Sequence, residues 1–182
     1  MGVSGSGKTT LAQELSRQLG WEHAEGDEFH PPANVTKMRY GTPLTDEDRR
    51  PWLRRIAEWI SHHEKVGKNI IVTCSALRRV YRDLLRDGHP SVFFVHLDVA
   101  RDVVEHRVAH RYGHYMPASL LDSQLATLEP LEPDEPGKTV PSNAITDDTV
   151  EAVINLLRSQ VASHRIWQGA ESECLQSQNS DQ

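Results

Sequence analysis

Cysteine is scarce in this chain of 182 residues: only Cys74 and Cys174 occur, a hundred residues apart. Two isolated thiols exclude a disulfide-stapled scaffold and a zinc-type Cys cluster, and they suit a reducing cytoplasm. Long apolar runs are also missing. None approaches the ~18 residues that a membrane span needs, and no charged-then-apolar leader precedes the first motif. The expectation is a soluble protein that is not exported and does not enter a membrane. There is no excess of positive charge either: 20 Lys and Arg stand against 26 Asp and Glu, a net charge of −6. That balance excludes a general electrostatic hold on nucleic acid, so any anion must be met by a local basic cluster. The length suits one domain with a real core and not two of typical size. Oligomeric state is not legible, and a homodimer stays open.

What is present begins at once. The opening Met-Gly-Val-Ser-Gly-Ser-Gly-Lys-Thr-Thr fits Gly-x-x-x-x-Gly-Lys-Ser/Thr from Gly2 to Thr9. Glycines at 2, 5 and 7 let the backbone bend so that the N–H groups of Gly2, Val3, Ser4, Gly5, Ser6, Gly7, Lys8, Thr9 and Thr10 can turn toward phosphates. Lys8 would reach the β and γ oxygens, and Thr9 would hold Mg²⁺. A flexible Gly/Ser terminus would not predict Gly-Lys-Thr running straight into the helical pattern Thr-Leu-Ala-Gln-Glu-Leu-Ser-Arg-Gln-Leu at 10–19. ATP with Mg²⁺ is the expected nucleotide. Only Met1 precedes Gly2, so the first strand is expected to be very short or truncated.

Short strand-like runs then alternate with longer helical ones, the pattern of a parallel sheet with crossover helices in an α/β fold. Strands are expected at 21–26, 69–75, 91–97 and, weakly, 138–140. A Pro-rich turn is expected at His30-Pro-Pro32. Helices are expected at 48–65 with Asp46 as cap, 77–86, 100–111 and 147–158. Trp52, Leu53, Ile56, Trp59 and Ile60 share one helical face, which reads as core. From 159 to 182 the chain is rich in Ser, Gln, Asn and Glu, so residues 1–158 are expected to form the domain and 159–182 a mobile tail.

Ligands of such sheets sit at the carboxyl ends of the strands. After the second strand stand Glu25 and Asp27, two residues apart and so on one face of extended chain, where a carboxylate could accept a hydroxyl proton or hold a Mg²⁺-bound water. An ordinary acidic turn is the alternative. After the third strand, Arg78 begins a basic stretch at a helix start, where cations oppose the macrodipole and suggest an anion to be bound. For Arg82 and Arg86 a solvated basic face remains equally open. Arg107 and Arg111, four apart and followed by Gly113, could clamp a triphosphate from a mobile lid. His106, His110 and His114 recur at the same spacing without a carboxylate or Cys partner, which argues for an exposed stripe rather than a metal site.

Together these residues resemble the gluconokinases, a small P-loop sugar-acid kinase family related to shikimate and adenylate kinases. The resemblance runs through Gly2 to Thr9, Gly26-Asp27, His30-Pro31, Asn34, Lys37-Met38, Pro43-Leu44, Asp48-Arg49, Pro51-Trp52-Leu53, Cys74-Ser-Ala-Leu77, Tyr81-Arg-Asp83, Arg111, Gly113-His114, Gln124 and Thr127-Leu-Glu-Pro130. It covers about residues 1–130. It implies a P-loop kinase fold, a central parallel five-stranded sheet flanked by helices with a mobile lid, and phosphoryl transfer from ATP to D-gluconate. The resemblance further implies Lys8, Asp27, Arg107 and Arg111 as catalytic residues and Asp27, His30, Lys37, Arg49, Arg78 and Gln124 as substrate-binding ones. Glu25 stands where the family usually has Asp. Two alternatives remain: a shikimate- or nucleoside-monophosphate-type kinase, and a nucleotide-binding regulatory module without turnover.

Overall fold

The structure, a computed structural model, describes residues 1–110 and 118–178. Four short strands alternate with helices in the order α1 (Lys8–Leu19), β1 (Glu22–Glu25), α2 (Pro32–Arg39), α3 (Asp46–Lys65), β2 (Ile70–Thr73), α4 (Arg79–Arg86), β3 (Phe94–Asp98), α5 (Arg101–Ala109), α6 (Ala118–Thr127), β4 (Gly137–Pro141) and α7 (Asp147–Gln178). The α/β class with parallel pairing is as expected: β1 pairs with β2 from Glu22 opposite Ile70 to Glu25 opposite Thr73, and β3 pairs with β4 from Phe94 opposite Gly137.

The expected continuous five-strand sheet appears here as two parallel pairs, with residues 1 and 2 between them. Gly2 N–H donates to Ser75 O (3.1 Å), Leu97 N–H to Met1 O (3.0 Å), and the Met1 amine to Val95 O. Two residues are too few for a strand of their own, yet they stitch β2 to β3 and deliver the phosphate loop to the carboxyl end of the layer.

Helices cover both faces. Leu11 and Leu15 of α1, one turn apart, pack with Leu97, Val150, Val153 and Ile154 of β3 and α7. On the other side Trp52, Leu53, Ile56 and Ile60 of α3 pack with Tyr81 and Leu85 of α4 and Phe94. A third cluster, Val3, Leu77, Val104 and Leu121, seats α5 and α6 under the phosphate loop.

Several boundaries differ from expectation for local reasons. The cap of α3 is Thr45, whose hydroxyl accepts Asp48 N–H (3.3 Å) while the Asp48 carboxylate accepts Thr45 N–H (3.0 Å), a reciprocal capping box that displaces Asp46 from that role. The Pro-rich stretch is not only a turn: Pro32 is the first residue of α2, where a missing N–H costs no helical bond. Helix α7 does not stop near 158 but continues to Gln178.

Candidate active site

The phosphate loop owes its shape to glycines in left-handed backbone. Gly5 has φ 79° and Gly7, which caps α1, has φ 96°, conformations that cost an L-residue roughly 1–2 kcal/mol. The N-terminal N–H groups of α1 therefore open onto a cleft of about 730 Å³ lined by Ser4, Gly5, Gly7, Lys8, Thr9 and Thr10. Gly2, Val3 and Ser6 are buried under the loop and do not line the cleft. The Lys8 ammonium folds back over the loop to donate to Val3 O (2.9 Å). Two contacts fix the loop from outside. Ser4 N–H donates to Gln124 Oε1 (2.7 Å), and Arg107 donates to Gly5 O (3.1 Å) and Asn143 O (2.7 Å), tying the loop to the segment after β4. Gln124, expected on the substrate side, thus holds the phosphate loop itself.

Across the cleft, β1 ends in Glu25. Its Oε2 accepts from Thr9 Oγ1 (3.3 Å) and Thr73 Oγ1 (2.5 Å). Its Oε1 is buried and accepts no hydrogen bond: His23 Nε2 is 3.2 Å away but outside hydrogen-bond geometry. A carboxylate oxygen left over beside the Thr9 hydroxyl is a hard oxygen set of the kind Mg²⁺ and its waters take. Gly26 then passes so close to β2 that a Cβ would stand 2.0 Å from Thr73 O, and Trp52 Nε1 donates to Gly26 O (2.6 Å). Only glycine allows this approach, which sets Asp27 at the cleft wall. The Asp27 side chain is exposed and carries no hydrogen bond to a described residue.

His30 stacks on Trp52, ring centroids 4.2 Å apart. Burial pushes its pKa down to about 4, with Arg49 lowering it further and Asp27 opposing, so the ring is neutral at pH 7. The Asn34 amide nitrogen lies 3.4 Å from His30 Nδ1 and 2.7 Å from Asp48 O. Because an amide N can only donate, Nδ1 is the acceptor and the proton is on Nε2. Arg49 completes this half of the cleft, and its guanidinium makes no hydrogen bond to a described residue.

Lys8, Thr9, Asp27, His30, Arg49, Arg107 and Gln124 therefore share one cleft. Lys37 and Arg78, expected there, do not line it. Lys37 is bound by both oxygens of Asp48 (2.7 and 2.8 Å), which holds it to the α3 cap. Arg78 donates to Asp46 (2.5 Å) and Glu129 (3.4 Å), so its charge is already met. Arg111 lies outside the described residues. Arg82 is no solvated face: it is 0% exposed, bound bidentately to Glu135 (2.5 and 2.7 Å). His106 and His110 pack ring against ring, and no group of metal-binding side chains of three or more occurs among the described residues. The sequence reading missed Thr42, Ala144 and Ile145 as cleft residues. Ile145 had a signal only in three dimensions, since a Cβ on Gly7 would stand 3.1 Å from it.

A phosphate loop facing a carboxylate just after β1 and a guanidinium from α3, neither hydrogen-bonded to a described residue, defines a P-loop kinase of the small-molecule type. The AAA domain family matches residues 1–131. The chain is similar to the gluconokinase of Gluconobacter oxydans (strain 621H), 48% identical over 160 residues, 88% of this chain and 90% of that one. Among solved structures, a sugar kinase from Janibacter sp. HTCC2649 superposes with TM-score 0.82 at 52% identity, covering 87% of this chain and 91% of that one. A gluconokinase from Sinorhizobium meliloti 1021 superposes with TM-score 0.79 at 39% identity, covering 92% and 94%. The chain belongs to the gluconokinase family.

Proposed function

We propose that this protein transfers the γ-phosphoryl group of ATP to the terminal hydroxyl of D-gluconate, giving 6-phosphogluconate and ADP. The observation that carries this reading is one cleft with the phosphate loop on one wall and, on the other, Asp27 and Arg49 without hydrogen-bonding partners among the described residues. A sugar acid needs both: a cation for its carboxylate and a carboxylate for its reacting hydroxyl.

In this reading the backbone N–H groups of Gly5, Gly7, Lys8, Thr9 and Thr10 and the Lys8 ammonium receive the triphosphate. Asp27 orients the terminal hydroxyl and takes its proton as the hydroxyl oxygen bonds to the γ-phosphorus and the bond to the ADP oxygen breaks. Arg107, already held against Gly5 O, adds positive charge at the loop rim. His30 donates Nε2–H to a substrate hydroxyl, and Arg49 meets the carboxylate with its fork of N–H donors. Thr9 and Glu25 would hold Mg²⁺, Glu25 directly or through water, and the metal would neutralise charge on the β and γ phosphates. No helix among the described residues is long and apolar enough to cross a membrane. An ATP-consuming kinase with a buried free thiol at Cys74 fits the cytoplasm.

A coupled ADP-release assay offering gluconate, glucose, shikimate and nucleoside monophosphates in parallel tests the reading. Gluconate should exceed glucose by roughly 30-fold or more in kcat/KM, because glucose leaves the Arg49 guanidinium unpaired. Equal rates with glucose or shikimate would refute it. In the same assay Asp27→Asn should lower kcat by roughly 10²-fold with ATP affinity little changed, since it removes only the proton acceptor. A matched loss of ATP affinity would move Asp27 to the metal site.

A further inference from the structure

We infer that Tyr81 is a positioning residue for the acceptor site, presenting the Arg49 guanidinium to the substrate carboxylate on the face of its ring; this rests on the gluconate reading above. Tyr81 comes from α4, is 4% exposed and packs in the α3–α4 core. Its hydroxyl donates to Asp46 (2.5 Å) at the start of α3, which fixes the ring plane. Two guanidiniums lie against that ring, Arg49 at 5.7 Å and Arg78 at 5.8 Å from its centroid. Their situations differ. Arg78 is held by Asp46 and Glu129, whereas Arg49 has no hydrogen bond to a described residue and lines the cleft.

An arginine side chain loses about 2 kcal/mol of rotamer entropy when fixed, and the usual anchor is a carboxylate. A carboxylate anchor on Arg49 would use up the donors that the substrate needs. An aromatic face holds the cation electrostatically and leaves all five N–H groups free. Asp46, the nearby carboxylate, is occupied by Tyr81 and Arg78. The ring therefore orients Arg49 without competing for it, and the acid specificity of the cleft is set partly by a residue that does not line it.

The test keeps the ring's shape and changes its charge distribution. In the full-length chain, Tyr81→Phe provides the baseline, and 3,4,5-trifluorophenylalanine at position 81 weakens the negative ring face without emptying the core. Fluorination should raise the gluconate KM by roughly five-fold relative to Tyr81→Phe while kcat and the ATP KM stay within about two-fold. In an Arg49→Ala background the same fluorination should leave the gluconate KM unmoved. An unchanged KM on fluorination, or an equal rise with Arg49 present and absent, overturns the inference while gluconate turnover by the parent still supports the function. A parent enzyme that does not phosphorylate gluconate overturns both.

Discussion

His30 lines the cleft and, being buried, reports on pH. Its pKa falls from 6.5 to about 4 because burial against Trp52 disfavours the imidazolium, so the folded chain binds fewer protons there than the unfolded chain between those values. Stability attributable to this group is intact above about pH 6.5 and is lost as pH falls toward 4, by up to about 3 kcal/mol. Carboxylates lose stability in acid too, so the informative quantity is a difference. Urea unfolding of the parent and of His30→Gln at pH 7.5 and 5 should give a steeper loss for the parent. Parallel losses would mean that His30 is solvated in the folded state. At this scale the sequence placed Gly5, Gly7, Lys8, Thr9 and Asp27 at one cleft, because the phosphate-loop pattern and the turn after β1 fix where they fall. It did not reveal that Lys37 and Arg78 are held by carboxylates away from the cleft lining, since nothing in a sequence says which of its cations are already paired. Asp48 and Asp46, which pair them, come 11 and 32 residues away in the chain.

Between elements, Arg82 makes a buried tie with six hydrogen bonds. From α4 it binds Glu135 bidentately and also donates to Ala76 O (3.3 Å), Leu77 O (3.4 Å), Glu129 O (3.1 Å) and Pro130 O (3.2 Å). One buried guanidinium thus joins the turn after β2 to the loop between α6 and β4. That turn includes Ala76, held at φ 41°. Removing one partner leaves a buried charge uncompensated, so Arg82→Met should cost about 3–5 kcal/mol, and Arg82→Met with Glu135→Leu should recover much of it. Chemical denaturation of the parent, single and double variants gives the comparison. A double variant no more stable than the single would show that the carbonyl contacts, not the ion pair, carry the tie. The helical periodicity of α1 and α3 and the apolar runs at β2 and β3 were plain in the sequence. Helix α2 was hidden because Pro31-Pro32 reads as a turn until the helix is seen to begin at Pro32. Helix α6 was hidden because the apolar residues of Ala-Ser-Leu-Leu-Asp-Ser-Gln-Leu-Ala-Thr carry little amphipathic contrast.

Across the whole molecule, charge is divided between a negative exterior and a positive cleft. The net charge is −6, yet Lys8, Arg49 and Arg107 converge on one cavity, while Arg78, Arg79 and Arg82 are taken up by Asp46, Asp83, Glu129, Glu132, Asp134 and Glu135. With three cations against the carboxylates of Glu25 and Asp27, the cleft keeps a net positive charge that attracts anions, and it has room for two, a triphosphate at the loop and a small carboxylate opposite. The fold class was legible because the alternation of elements is repeated along the chain. The pairing of strands was less so, because four- and five-residue strands leave register to the packing around them. In the proposed reaction these two anions meet so that phosphorus passes to the far end of the acid. Phosphorus NMR of the purified chain with ATP, Mg²⁺ and gluconate tests it most directly. ADP and one new phosphomonoester resonance split by two methylene protons should appear, and the new resonance should be absent with Lys8→Ala. ATP consumption without a new ester, or an ester split by a single methine proton, would contradict it.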